Sequence, residues 1–244
     1  MLIELAGLPG AGKSTISSLL RQHYGLSRLT LVNTYNANPH RLLLSVPVAP
    51  VSLLRTRRLF WSVTRPNAGK PGVAQEPPTS LARTFFRILA ELNVFTVGSG
   101  LARLEAFLRG KRPVLDGGFV QRGLAVWLRT PPHARTEAWR AYLSHVPQTV
   151  ICIILQCEPT EALRRAKSRP DGLPAVLRTH AGASVREEWL IDEYRQMAAL
   201  LSGEMLNARV RCIHVNAEMP PRDLLEVVVS KLETMTTVRD LMVQ

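Results

Sequence analysis

The chain has 244 residues, 46% of them hydrophobic and 20% charged, which is enough apolar material for a real core and too much for a disordered chain. Thirty-one basic residues oppose 19 acidic ones, and the net charge of +12 is unevenly placed: residues 1–122 hold 16 basic and 5 acidic residues (+11), residues 123–244 hold 15 and 14 (+1). Three cysteines outside any CxxC or Cys/His spacing exclude a disulfide framework, MLIELAG lacks the regions of a signal peptide, and no run reaches the roughly 18 apolar residues of a membrane span. The expectation is a cytoplasmic protein with one domain over 1–244. Compositional bias explains why 26 of the 31 basic residues are Arg, but not the split between halves. No acid stands between Glu4 and Glu76, so an anionic ligand is expected to meet the first half.

Residues 2–6 (LIELA) form an apolar run before a glycine loop and predict a buried strand. Residues 13–23 read as a helix with Ile16, Leu19 and Leu20 on one face and Gly25 as its stop. A second strand is predicted at 29–34. Seven prolines between 38 and 78 allow only short helices, at 41–46 and 51–63, before a helical stretch at 80–109 broken near Gly98 and Gly100. Next come a short strand at 113–115, helices at 119–129 and 134–145, and the clearest buried strand, 149–156 (TVICIILQ). A helix at 159–168 leads into a Pro/Gly-rich segment, 169–183. The stripe Leu190, Tyr194, Met197 and Leu201 marks another helix; a strand at 210–215 and a helix at 222–235 complete the order. Apolar strands alternating with helices predict a three-layer α/β fold, with a parallel sheet of about five strands covered on both faces. Cys152 and Cys212 fall in strands and are expected to be buried thiols.

Gly7-Leu8-Pro9-Gly10-Ala11-Gly12-Lys13-Ser14 satisfies G-x-x-x-x-G-K-[ST] at every fixed position, between a predicted strand and a predicted helix. Glycines let successive N–H groups turn inward, and the helix start favours anions. Leu8 through Thr15 are therefore the candidate nucleotide-binding residues. Lys13 would reach the β- and γ-phosphates and Ser14 would place its hydroxyl on Mg²⁺. No G-x-G-x-x-G overlaps the loop, which argues against a dinucleotide site. Neither N-K-x-D nor T-K-x-D occurs, which argues against guanine selectivity. Asp116 ends an apolar strand, where a carboxylate reaches the ligand edge of such a sheet. It would serve as metal ligand, as base, or as both; a helix cap is the competing role.

The Walker A loop, the strand-terminal Asp116 and a late Arg-rich segment together resemble the P-loop nucleoside and nucleotide kinases, especially the thymidylate-kinase-like group. In that family a strand like 149–156 leads to a helix ending in two arginines four apart that starts a lid over ATP. The segment from Pro159 to Arg169 is similar, with Arg165 and Arg169 at that spacing. The resemblance implies ATP and Mg²⁺, a lid over about 165–184, and an acceptor-binding insertion over about 36–110. An arginine and aromatics from the helix holding Arg83, Phe85, Phe86 and Arg87 would line the acceptor pocket. The chain departs from the family in having Asp116-Gly117-Gly118 where Asp-Arg or Glu-Arg-Ser is usual, so Arg122, one turn later, is the candidate for the missing guanidinium. It also has Thr34-Tyr35-Asn36 where the nucleoside-kinase branch keeps a carboxylate.

Two alternatives stand beside the arginine assignments. Glu161 and Arg165 also make an ordinary i, i+4 surface pair, and Arg55, with Arg57 and Arg58, either binds an acceptor phosphate or solvates a helix face. The expected activity is transfer of the γ-phosphoryl of ATP to a small anionic hydroxyl or phosphate acceptor, nucleoside- or nucleotide-like. Lys13, Asp116, Arg165 and Arg169 are the catalytic candidates. The rival is a regulatory P-loop ATPase associated with nucleic acid; attachment to an anionic membrane through RTRRLFWSVTR is a third possibility.

Overall fold

The apolar run at the start of the chain becomes β1 (Leu2–Gly7), and the turn after it feeds α1 (Lys13–Tyr24), which Gly25 ends in the left-handed conformation (φ 60°). The structure is a computed structural model, and it describes residues 2–25, 28–29, 114–116, 118–130, 132–144, 146, 150–170, 172–174, 177 and 187–242. Of the second strand, β2 (Arg28–Leu29) lies among them; the predicted elements from 30 to 112 do not. There follow β3 (Val114–Asp116), α2 (Phe119–Arg129), a short 3-10 turn (Pro132–Ala134), α3 (Arg135–Leu143) and β4 (Val150–Gln156). The chain continues through α4 (Pro159–Lys167), α5 (Glu187–Ser202), α6 (Glu204–Asn207), β5 (Arg211–Asn216) and α7 (Pro221–Met242).

All described strand pairs are parallel, in the spatial order β2-β3-β1-β4-β5. Residues 150–155 of β4 are buried without alternation, which requires cover on both faces and explains why that run lacks polar residues. Helix α1 packs on β1 and β3 and touches α7, which lies along β5; α2 packs on β1 and on α3. In α2, Gly123 sits where a Cβ would come within 2.6 Å of Trp139 Cζ3 and 2.7 Å of Tyr142 Cε1. That crowding accounts for a glycine inside a helix, where it costs about 1 kcal/mol relative to alanine. Trp127 and Trp139 are core residues, and Tyr142 donates to the Phe119 carbonyl at 3.0 Å.

The helix expected at 134–145 begins one residue later, after the 3-10 turn, and its first residue, Arg135, is buried. Its Nε donates to Thr130 O at 3.1 Å, and its Nη1 lies 2.9 and 3.0 Å from the two oxygens of Glu193 on α5. The guanidinium also rests 4.4 Å from the centroid of the Trp127 ring. Both partners are buried, so this ion pair ties α3 to α5 inside the protein. No helix among the described residues is long and apolar enough to cross a membrane.

Candidate functional site

The glycine loop forms where β1 leaves the sheet. Gly10 (φ 97°) and Gly12 (φ 83°) hold left-handed conformations that other residues rarely adopt, and Gly12 caps α1 with its backbone alone. Among the described residues, a Cβ on Gly12 would meet nothing within 4 Å, so the space beside it is open. A Cβ on Gly10 would instead lie 2.0 Å from the carbonyl oxygen of Ala162, so the loop is pressed against α4. Lys13 folds back over the loop, its Nζ donating to Gly7 O and Leu8 O at 2.8 Å each. Ser14 and Thr15 are exposed on the first turn of α1, which carries no acidic residue and no side-chain cap. Left-handed glycines, a helix start without an acid and a half-buried ammonium beside it fit a polyphosphate.

Asp116 is brought next to this loop by the sheet: it pairs in register with Leu5, two residues before Gly7. Its side chain lies outside the described part of the structure. Among the described side chains, the one that meets the first turn of α2 comes from β1. Gly118 is the N-cap and offers no side chain; the carboxylate of Glu4, in the middle of β1, lies beneath it. Glu4 Oε1 accepts from Gln121 N at 3.0 Å, and a Cβ on Gly118 would stand 2.5 Å from Glu4 Cδ. Gln121 in turn accepts the Gly7 N–H on its Oε1 at 3.2 Å.

Glu4 is fully buried, and burial drives its pKa from 4.5 to about 8 despite the opposing N–H groups of Gln121, Val120 and Phe119 and the charge of Arg122. Arg122 therefore acts on Glu4, whatever else it does. The folded protein keeps the Glu4 proton through a pH range in which the unfolded chain has released it. Unfolding free energy should thus fall as pH rises from about 5 to 8, by up to about 1.4 kcal/mol per pH unit from this group. Urea titrations at several pH values should show a flatter profile for Glu4→Gln; identical slopes would refute the assignment. Sequence inspection passed over Glu4, Gln121 and Gly118. The available signal was an acid inside LIELA, since a charge in a buried strand needs a partner.

Helix α4 starts with Pro159 and is capped by Glu158, whose Oε2 accepts from Thr160 N at 2.8 Å and Glu161 N at 3.0 Å. Arg165 shares its side of the helix with Ala162 and is held by Glu161, Nε to Oε1 at 2.6 Å, the i, i+4 pair foreseen as the alternative. Arg164 also binds Glu161, and the two guanidinium groups bring that carboxyl down to about 2. Arg169, past the helix end, is exposed, and its charge reaches the buried Tyr194 phenol, which burial pushes up. Arg55, Arg83 and Arg87, the insertion over 36–110 and much of the 165–184 segment lie outside the described residues. Burial keeps the thiols of Cys152 and Cys212 protonated, Cys212 up to about 12, and Glu4 acts in the same direction on both.

No protein-family model matches the chain, and no curated protein matches it. Among solved structures it is similar to deoxyadenosine kinase from M. mycoides with bound dATP, at 17% identity over 96% of this chain and 100% of that one, with a TM-score of 0.47. It is also similar to a gluconokinase from Sinorhizobium meliloti 1021, at 12% identity over 100% and 97% of the two chains, with a TM-score of 0.44. Likeness at this level carries no argument about activity, which rests on the residues above.

Proposed function

We propose that this protein is an ATP- and Mg²⁺-dependent phosphotransferase that moves the γ-phosphoryl to a small hydroxyl or phosphate acceptor, nucleoside- or nucleotide-like. The observation that carries the reading is the glycine loop, with its two left-handed glycines and folded-back Lys13 at the start of an acid-free helix turn. On binding, Lys13 Nζ exchanges the Gly7 and Leu8 carbonyls for phosphate oxygens, while the loop amides and the α1 start hold the remaining charge. Ser14 and Asp116 would hold Mg²⁺, which would supply positive charge to offset that of the phosphates.

Asp116, at the sheet edge beside the loop, would orient the acceptor and take the proton of an attacking hydroxyl. The new bond joins acceptor oxygen to Pγ, the bond from Pγ to the β-bridging oxygen breaks, and ADP leaves. Arg169 is exposed and able to turn toward the transferring phosphoryl. Arg165 must first give up Glu161 to do so. Arg55, Arg83, Arg87 and Arg122 are the proposed acceptor contacts, and the surplus of base in the first half supports an anionic acceptor.

Incubation of the purified chain with γ-labelled ATP, Mg²⁺ and a panel of nucleosides, nucleotides and sugars should transfer label to one acceptor class. Slow ATP hydrolysis with no labelled acceptor across the panel would replace the kinase with a regulatory ATPase. Within the kinase reading, Asp116→Asn should lose turnover; near-wild-type turnover would remove its catalytic role.

A further inference from the structure

Gly7 is held at both of its backbone polar groups. Its carbonyl accepts from Lys13, and its N–H is held by Gln121, a residue 114 positions away in sequence. The reason lies in the sheet. The last β1–β3 register pair is Leu5 with Asp116, after which β3 turns into α2. Beyond that pair, β1 runs on to Gly7 and receives its acceptor from the side chain of α2. Helix α2 is itself fixed at its first turn, because Glu4 accepts the Gln121 N–H from below and leaves no room for a side chain on Gly118. One residue, Gln121, thus joins the phosphate loop to the turn that follows Asp116.

We propose that Gln121 is a positioning residue for phosphate binding: its carboxamide oxygen sets the first peptide of the loop, and Glu4 sets the helix start from which it reaches. The proposal rests on the phosphate-loop reading above. A loop whose first N–H loses its acceptor must find its binding geometry after the ligand arrives, and that lowers affinity without touching the ligand itself. A purely structural role would instead appear as lost stability with unchanged affinity.

Gln121→Met keeps the length of the side chain and removes the strong acceptor; Gln121→Glu returns an acceptor of the same reach. In the ligand-free full chain, amide exchange at Gly7 should speed up at least about tenfold in Gln121→Met, the loss of about one hydrogen bond, and return toward wild type in Gln121→Glu. Calorimetric titration with tripolyphosphate and with Mg-ATP should show about tenfold weaker binding to Gln121→Met, with a Tm within about 4 °C of wild type. Wild-type exchange at Gly7 in Gln121→Met overturns the proposal, as does affinity within about twofold of a wild type that does bind. A wild type that binds neither tripolyphosphate nor Mg-ATP overturns the phosphate-loop reading and this proposal together. That case is recognisable on its own, because the exchange measurement needs no ligand.

Discussion

Lys13→Ala should reduce phosphoryl transfer by about 10²- to 10³-fold or more, the range seen when one preorganised donor to a developing charge is removed. That corresponds to roughly 3–4 kcal/mol of transition-state stabilisation. The ligand-free geometry adds a second effect. Lys13 closes two hydrogen bonds across its own loop, to Gly7 and Leu8, so the truncated loop also loses internal ties. The variant should therefore bind Mg-ATP more weakly as well as turn it over more slowly. Lys13→Arg should keep much of the binding, through its charge, and little of the turnover, because a planar guanidinium cannot replace a compact ammonium at both places. Initial rates and titration calorimetry on the two variants separate these effects. Lys13→Ala with kcat/KM within about threefold of wild type would leave the loop without a catalytic role.

Glu193→Ala should destabilise the protein by about 3–5 kcal/mol, more than most single substitutions. Removal of the carboxylate strands the Arg135 guanidinium, which is 8% exposed and enclosed by Trp127 and the Thr130 carbonyl. One nitrogen of Arg135 spans both carboxylate oxygens, so Glu193→Gln should keep part of the geometry and cost less than Glu193→Ala. The paired change Arg135→Met with Glu193→Leu should recover most of the loss, because it removes both charges and keeps volume in the pocket. Urea denaturation of the three variants measures this directly. A paired variant as unstable as Glu193→Ala would mean that packing, not the stranded charge, sets the cost.

Local signals carried the sequence analysis well, and they failed where a polar residue is buried. Glycine spacing announced the loop, Gly25 the end of α1, and the stripe from Leu190 to Leu201 the inner face of α5. Each rests on interactions within a turn or two of helix. Glu4, Gln121, Arg135 and Glu193 were illegible because their partners stand 58 to 117 positions away. A charged residue without its partner in view reads as surface. Glu193 lies one position before Tyr194 in the buried stripe and was passed over for that reason. The hold that Glu4 has on the first turn of α2 was equally hidden, because it comes from the neighbouring strand.

Gly123 and Gly10 differ in what genetics could do with them. At Gly123 the obstacle is a pair of aromatic side chains, so damage from a larger residue there is open to suppression by trimming Trp139 or Tyr142. At Gly10 the obstacle is the peptide oxygen of Ala162, which every amino acid carries. No substitution at position 162 can remove that oxygen. A selection for revertants of a Gly10 mutant should return glycine at position 10 and no compensating change at the point of contact, which makes this position a lesion without an intragenic cure.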